Sequence, residues 1–153
     1  MRICEIVPSL ESRYGGPSRS VYALSEALAA ADHEVQLLAT DPRKADDKYM
    51  GRLRVRTFPR SRPSALCPSR ALRLELRDVP CDVVHHHSIW LRTLDYARRK
   101  AATDRIPLVI SPRGMLSPWS RRHHSWRKKL ARHWVHPGAF EAAAGWHATS
   151  EEE

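Results

Sequence analysis

The sequence predicts one α/β domain with a mostly parallel sheet and helices on both faces. Short apolar segments typical of buried strands alternate with helical patterns from residue 2 onward, and most of the connecting loops are short. The length of 153 residues corresponds to one domain that buries a core without disulfide or metal support. Because such sheets bind ligands at the carboxyl ends of their strands, the residues that follow each strand are the candidate site residues.

The first third of the chain begins this alternation. Arg2–Val7 (RICEIV) is predicted as a buried strand bounded by Pro8. Pro17 suits the first turn of a predicted helix over residues 17–31, where apolar residues recur at helical spacing. A second strand is predicted over Glu34–Thr40, and residues 41–52 are predicted as a polar loop. The later elements are a strand at 53–58, a weak helix at 69–77, a strand at 82–86, a helix at 89–103, and strands at 106–111 and 146–149.

A basic amphipathic helix is predicted over Pro118–His136. Its apolar residues, Trp119, Trp126, Leu130 and Trp134, recur at intervals of seven, four and four, so they share one face. The opposite face carries Arg121, Lys128 and Arg132, which are predicted to contact an anionic membrane surface. We expect the tryptophan face to pack on the sheet, so that insertion into a bilayer does not occur.

Charge and composition narrow the class of protein. The net charge is +9, and two blocks concentrate it: residues 43–77 hold eleven Lys/Arg against three Asp/Glu, and residues 113–136 hold seven and none. This predicts an anionic partner, or else an arginine-rich solvated face.

A hydrophobic content of 42% excludes a disordered chain. No apolar run reaches the ~20 residues of a membrane span. The short apolar stretch at the N-terminus is interrupted by Glu5 and therefore does not have the pattern of a secretory signal. Three widely spaced cysteines are typical of free thiols in a reducing cytosol.

Two strand ends carry candidate site residues. After the first strand, Gly15 and Gly16 allow the backbone to approach a ligand, and a helix N-terminus with Ser18 follows. These three residues are predicted to bind substrate or phosphate; the alternative is a tight turn that needs glycine. Neither G-x-G-x-x-G nor a Walker A motif is present. After the strand at 106–111, Arg113 precedes Gly114 and suits contact with phosphate or carboxylate, or else lies at the surface beside a turn.

The strand at 82–86 leads into three consecutive histidines. Alternation along an extended segment directs His85 and His87 to one face and His86 to the other. A metal site needs a third ligand, and no nearby carboxylate or cysteine has zinc spacing, so no metal is predicted. A histidine that faces the cleft as a hydrogen-bonding group is the favoured interpretation. A buried core histidine is the alternative, above all for His85 and His86.

Five segments, in order and spread over the chain, carry a family resemblance: RICEIVPSL, YGGPSRSVYALSEALAAADHEVQLLAT, DVVHHHSIW, PLVISPRGMLSPWS and GWHATSEEE. Together they resemble the N-terminal domain of family-4 retaining glycosyltransferases, which have the GT-B fold. The resemblance implies two Rossmann-like domains around a cleft, with the acceptor on the N-terminal side and the nucleotide-sugar on the C-terminal side. Residues 1–153 are therefore expected to form the acceptor-side half, to lack the donor domain and to be inactive alone. Ser150, three residues before Glu153, also has the spacing of a capping box and predicts a further helix.

The resemblance also implies roles for single positions. Gly15 and Gly16 match the family's glycine loop near the donor phosphates, and His87 matches the second histidine of the strand motif at the cleft. Arg113 lies near the place where many relatives have a histidine that contacts the transferred sugar, so His87 and Arg113 are the catalytic candidates. Asp32 replaces a glycine and is expected to adopt the left-handed conformation. The three glutamates at 151–153 match a short acidic stretch.

The expected activity is transfer of a sugar from a nucleotide-sugar donor to an acceptor hydroxyl with retention, in the synthesis of surface polysaccharide or another glycoconjugate. The motif SPRGML, followed by a tryptophan, resembles members that build bacterial surface polysaccharides. No obligatory metal and no nucleic acid are expected. The expected partners are the donor, a sugar or lipid-linked acceptor, the chain's own second domain and an anionic membrane surface. The expected location is the cytoplasm, peripheral on the inner face of the membrane.

Two alternative functions stay open. One is a non-catalytic module that binds acidic lipid or nucleic acid through its basic helix. The other is a different Rossmann-type enzyme such as a dehydrogenase, which the missing G-x-G-x-x-G disfavours.

Overall fold

The computed structural model describes residues 1–11, 16–41, 46–117, 126 and 130–150. Within them, seven strands form one sheet in the order β3-β4-β2-β1-β5-β6-β7. The strands are β1 Arg2–Val7, β2 Glu34–Asp41, β3 Asp46–Met50, β4 Leu53–Pro59, β5 Val83–His87, β6 Leu108–Ser111 and β7 Gly145–Trp146. The helices are α1 Gly16–Ala30, α2 Arg70–Asp78 and α3 Arg92–Asp104. All pairings are parallel except the hairpin of β3 with β4, so the prediction of a mostly parallel α/β sheet is confirmed.

The two faces of the sheet bury two apolar clusters. Alternate residues of each strand point to opposite faces, so Ile6 of β1 packs with Leu72 of α2 and Leu94 of α3. Val7 of the same strand packs with Val21 of α1 on the other face. At the typical ~25 cal/mol per Å² of apolar surface, burial of one such side chain contributes about 2 kcal/mol before the entropic cost of ordering it. The expectation of helices on both faces is therefore correct.

Local signals set the ends of two helices. Ser69 caps α2, because its hydroxyl oxygen accepts a hydrogen bond from the Leu72 amide at 3.2 Å. After α1, Asp32 has φ 70°, which is the left-handed conformation expected of it. The amide of His33 then reaches back to the carbonyl oxygen of Leu28 at 3.2 Å and closes the helix.

Three predicted elements differ from the observed ones. The polar loop predicted at 41–52 contains β3, an exposed edge strand whose side chains lack apolar alternation because neither face is buried. The helix predicted from residue 89 begins at Arg92, because Ser88 and Trp90 adopt positive φ values of 87° and 67°. The last strand is only two residues long. The predicted helix cap at Ser150 concerns residues 151–153, which lie outside the described residues.

Candidate active site

The carboxyl ends of β5 and β6 lie side by side and carry unusual backbone. Ser88, directly after β5, has φ 87°, and Arg113, shortly after β6, has φ 55°. The Ser88 amide donates to the carbonyl oxygen of Ser111 at 2.8 Å, which ties the two strand ends together. A non-glycine residue in this region of φ costs about 1–3 kcal/mol and is enriched at functional sites. The two strained backbone positions are therefore Ser88, which follows His87, and Arg113 itself.

Arg113 contacts the ring of His87. The guanidinium Nη2 lies 3.0 Å and Nε 3.2 Å from His87 Nδ1. Since a guanidinium group can only donate, Nδ1 is the acceptor and the single ring proton resides on Nε2. His87 is therefore neutral, in agreement with its lowered pKa: burial lowers the pKa to about 4, although the neighbouring Glu5 acts in the opposite direction.

Glu5 accepts a hydrogen bond from the ring N–H of His87. Its side chain is 0% exposed on β1, and it also lies 3.2 Å from His85 Nδ1. Burial alone would raise the pKa of Glu5, but the hydrogen bonds from His85 and His87 outweigh burial and hold that pKa well below its usual range. Glu5 is thus a buried carboxylate, and a hydrogen-bonded chain runs from Arg113 through His87 to its oxygens.

His86 points to the opposite face of the sheet, as the strand alternation predicts. Its Nδ1 lies 2.9 Å from the carbonyl oxygen of Ser88 and therefore donates, while Nε2 lies 3.0 Å from the Thr93 hydroxyl and accepts. Burial lowers the pKa of His86 to about 3. This histidine fixes the loop after β5 to the start of α3 and is a core residue, as the alternative interpretation held.

The first turn of α1 meets the same edge. Arg113 Nη1 lies 3.4 Å from the Ser20 hydroxyl, so Arg113 links the ends of β5 and β6 to this helix. Gly16 begins α1, and a Cβ added to it would meet none of the residues that the structure describes within 4 Å, which leaves room for a ligand on that side. Ser18 is buried. Gly15 lies outside the described residues.

A groove of about 670 Å³ includes residues of this first turn in its lining. It runs between α1 and the β3–β4 hairpin and is lined by carboxylates, cations and one aromatic ring. Its polar lining includes Glu11, Ser18, Arg19, Tyr22, Asp41 and Lys48. Carboxylates and hydroxyls suit the hydroxyl groups of a carbohydrate, because carboxylates accept hydrogen bonds and hydroxyls both donate and accept them. The volume of the groove lies in the range typical of sites for small ligands.

The predicted basic helix is only partly described, and one expectation about it is wrong. Trp126, Leu130 and Trp134 were expected to pack on the sheet, but their exposed fractions are 60%, 49% and 78%. The chain at Ala131–Val135 forms one turn of π-helix and buries Ala131 instead. Trp119, Arg121 and Lys128 lie outside the described residues. Arg132 forms an ion pair with Glu141, so part of its charge is satisfied within the chain. Within the described residues, no helix has the length and apolar character needed to cross a bilayer.

Glu5 is the residue that the sequence prediction missed. In the sequence it interrupts an apolar stretch, whereas in the structure it is the carboxylate partner of two histidines eighty or more positions away. A signal for it exists in the sequence. A charged residue in the middle of a buried parallel strand needs a partner, and the histidine strand of the same sheet offers two.

Comparison with known proteins gives one result that bears on function. A family model described as Glycosyltransferase Family 4 matches residues 14–153. The matched range contains α1, the histidine strand and Arg113. A search of curated proteins gives no match.

Proposed function

Because the chain belongs to glycosyltransferase family 4, we propose that it forms the acceptor-side half of an enzyme that transfers a sugar from a nucleotide-sugar donor to an acceptor hydroxyl with retention. The donor-binding half would be a second domain that follows in the same protein. Membership of this family supports transferase activity. We further propose that the donor is a nucleotide-sugar, that the transfer retains the anomeric configuration and that the enzyme acts in the synthesis of surface polysaccharide.

The observation that carries this proposal is the hydrogen-bonded chain from Arg113 through His87 to Glu5. Such a chain fixes the direction of a permanent cation at the carboxyl edge of a parallel sheet, where ligands of this fold class bind. In glycosyl transfer the leaving diphosphate gains negative charge. A cation held in place before the reaction stabilises that charge without reorganisation. We assign this role to Arg113, together with the amide groups at the start of α1 near Gly16.

His87 acts as a positioning residue in this mechanism. Its Nδ1 accepts a hydrogen bond from Arg113, and its Nε2–H donates one to Glu5, so it has no free proton to give to a substrate. Because its pKa is lowered to about 4, it stays neutral at pH 7 and does not repel Arg113. The transfer step proposed here needs no obligatory metal.

The acceptor would bind in the groove beside α1. Its lining joins carboxylates to Arg19 and Lys48, and Ser18 contributes to it from the first turn of α1. A hydroxyl of the acceptor that reaches past Ser18 would approach the same edge as Arg113. Gly16 leaves room there, since a side chain at this position has open space around it.

The test uses the complete gene product and a panel of UDP-, GDP- and ADP-sugars with acceptor mixtures. Removal of one charge-stabilising donor typically lowers kcat by about 10²–10³-fold, so Arg113→Ala should do so. Arg73→Ala, on the exposed side of α2, is the matched control and should leave kcat unchanged. Residues 1–153 alone should show no turnover. Turnover by residues 1–153 alone, or an Arg113→Ala enzyme as fast as the control, would contradict the proposal.

A membrane surface is a second proposed partner. Tryptophan favours the interface between bilayer and water, and Trp126 and Trp134 are both exposed. Their exposure favours shallow insertion of these two side chains into the membrane surface, in place of contact through Arg121, Lys128 and Arg132 alone. The basic residues would add attraction to anionic lipid, roughly 1 kcal/mol each near the surface. A lipid-linked acceptor and a peripheral location on the inner face of the membrane would agree with such docking.

A further inference from the structure

The cluster of Glu5, His85 and His87 combines three metal-ligating side chains from two neighbouring strands. One ligand atom from each lies within 4.8 Å of the others. The parallel pairing of β1 with β5 places Glu5 opposite His85, and His87 follows two residues later on the same face. Glu5 and His87 are fully buried, while His85 remains 12% exposed. The ligand atoms thus lie inside the protein, and one side of the cluster faces solvent.

The geometry points to a binding site for a divalent transition metal, and we propose that Zn²⁺ binds to Glu5, His85 Nδ1 and His87 Nε2 and releases Arg113 from His87. Two imidazole nitrogens and one carboxylate form a donor set that suits zinc. Ligands of a tetrahedral zinc about 2.0–2.2 Å from the metal lie roughly 3.3–3.5 Å from each other. The observed 3.2 Å between His85 Nδ1 and Glu5 is close to this separation, whereas His87 Nε2 and Glu5 are in direct hydrogen-bond contact and must move apart to admit the ion.

His147 lies beyond His85 and acts as its outer partner. Its Nδ1 is 3.3 Å from His85 Nε2. When His85 Nδ1 binds a metal, its proton resides on Nε2 and is donated to His147 Nδ1. Most histidine ligands donate their second nitrogen in this way, and loss of the partner weakens metal binding by about 10–100-fold. The chain after β7 therefore supplies this partner from outside the two strands.

Metal binding and the contact with Arg113 exclude each other. His87 uses its Nε2 proton toward Glu5 and accepts from Arg113 at Nδ1. A metal at Nε2 moves that proton to Nδ1, where an N–H then faces the N–H groups of Arg113. The metal also adds positive charge beside the guanidinium. Arg113 therefore leaves the ring, so the ion acts as an inhibitor of a transferase that depends on the position of Arg113; this last step rests on the proposed function.

The binding test measures Zn²⁺ by competition with a chromophoric chelator, and Co²⁺ by its absorption spectrum, with the 153-residue chain free of any histidine tag. One equivalent should bind to the wild type. Glu5→Gln and His85→Asn should each weaken binding more than tenfold, His147→Ala by about 10–100-fold. Arg113→Met should bind more tightly than the wild type. His33→Gln, on the turn after α1, is the matched control and should bind normally.

Two results would overturn this site. One is no binding by the wild type above that of Glu5→Gln. The other is binding that survives Glu5→Gln and His85→Asn in variants whose circular dichroism is unchanged, since the ion would then sit on other histidines. Inhibition by Zn²⁺ is assayed separately on the complete gene product. Binding without inhibition would contradict the role of Arg113 and leave the metal site standing; inhibition lost in Glu5→Gln supports both.

Discussion

The Nδ1 atom of His87 lies 3.0 Å from Nη2 of Arg113, and this contact determines the protonation of the ring. Because the guanidinium donates, the ring proton is on the far nitrogen, Nε2, which donates a hydrogen bond to the buried carboxylate of Glu5. The His87 side chain thus bridges the buried carboxylate of Glu5 and the half-buried guanidinium group of Arg113. This arrangement determines how activity should respond to substitution of His87 and how the free energy of unfolding should depend on pH.

His87→Ala should lower kcat of the complete enzyme by about tenfold, equivalent to roughly 1.4 kcal/mol, because Arg113 loses its acceptor. His87→Gln should recover most of this loss, since an amide oxygen accepts from Arg113 while the amide NH₂ donates to Glu5. KM for the donor should change less than kcat. The measurement is steady-state kinetics of both variants. Equal losses in the two would indicate a role for the imidazole itself.

The free energy of unfolding should fall as the pH falls below about 6.5. The pKa values of His86 and His87 are lowered in the folded state, to about 3 and about 4, against about 6.5 in the unfolded chain. The unfolded state therefore binds more protons over this range, and acid favours it. Glu5, whose pKa is also lowered, adds a loss of the same sign below pH ~4.3.

Urea unfolding between pH 7 and 4.5 measures this slope. Each histidine contributes up to about 1.4 kcal/mol per pH unit. His87→Gln removes one such group and should flatten the slope by up to that amount. A wild-type stability that is flat from pH 7 to 5 would show that both histidines are already charged or exposed in the folded protein.

Gly16→Val should abolish transfer with little effect on folding. The added side chain has open space around it, so the free energy of unfolding should stay within about 0.5 kcal/mol of the wild type. The same side chain would fill the space through which a ligand approaches the start of α1. Gly51→Val is the contrasting variant: φ at Gly51 is +60°, so it should destabilise the hairpin without touching the site. Full activity in a folded Gly16→Val enzyme would remove this residue from the site.

Trp126→Ala combined with Trp134→Ala should reduce co-sedimentation with anionic vesicles at least severalfold. Both side chains are exposed, so stability should remain within about 0.5 kcal/mol. The charge variant Arg121→Glu, Lys128→Glu, Arg132→Glu should also reduce binding, and more strongly at low salt. Leu74→Ala, an exposed apolar residue on α2, is the control. Vesicle binding that is insensitive to both the tryptophan and the charge variants would exclude this surface.

Much of the fold follows from local pattern. Apolar runs such as RICEIV and EVQLLAT predict buried parallel strands, and both match observed strands closely. Capping chemistry at Ser69 and the left-handed Asp32 mark where helices begin and end. The polar edge strand β3 could not be found in this way, because a strand with two exposed faces has no hydrophobic alternation to detect.

The candidate site was predicted only in part, for a related reason. Strand alternation separates His86 from His85 and His87, and the structure agrees. Periodicity also places Trp126 and Trp134 on one face, but it does not say whether that face meets the sheet or water, and the packing prediction was wrong. Which surface is covered depends on elements distant in sequence.

The sequence by itself determined the α/β alternation, the strand ends where site residues lie and the faces of the three histidines, since these depend on neighbours within a few residues. Only the tertiary structure decided that Glu5 meets His85 and His87 and that Arg113 lies on the far side of the same ring. The parallel register of β1 and β5 joins positions some eighty residues apart. The physical reason is that a buried charge is tolerated only where the register of distant strands provides its partners.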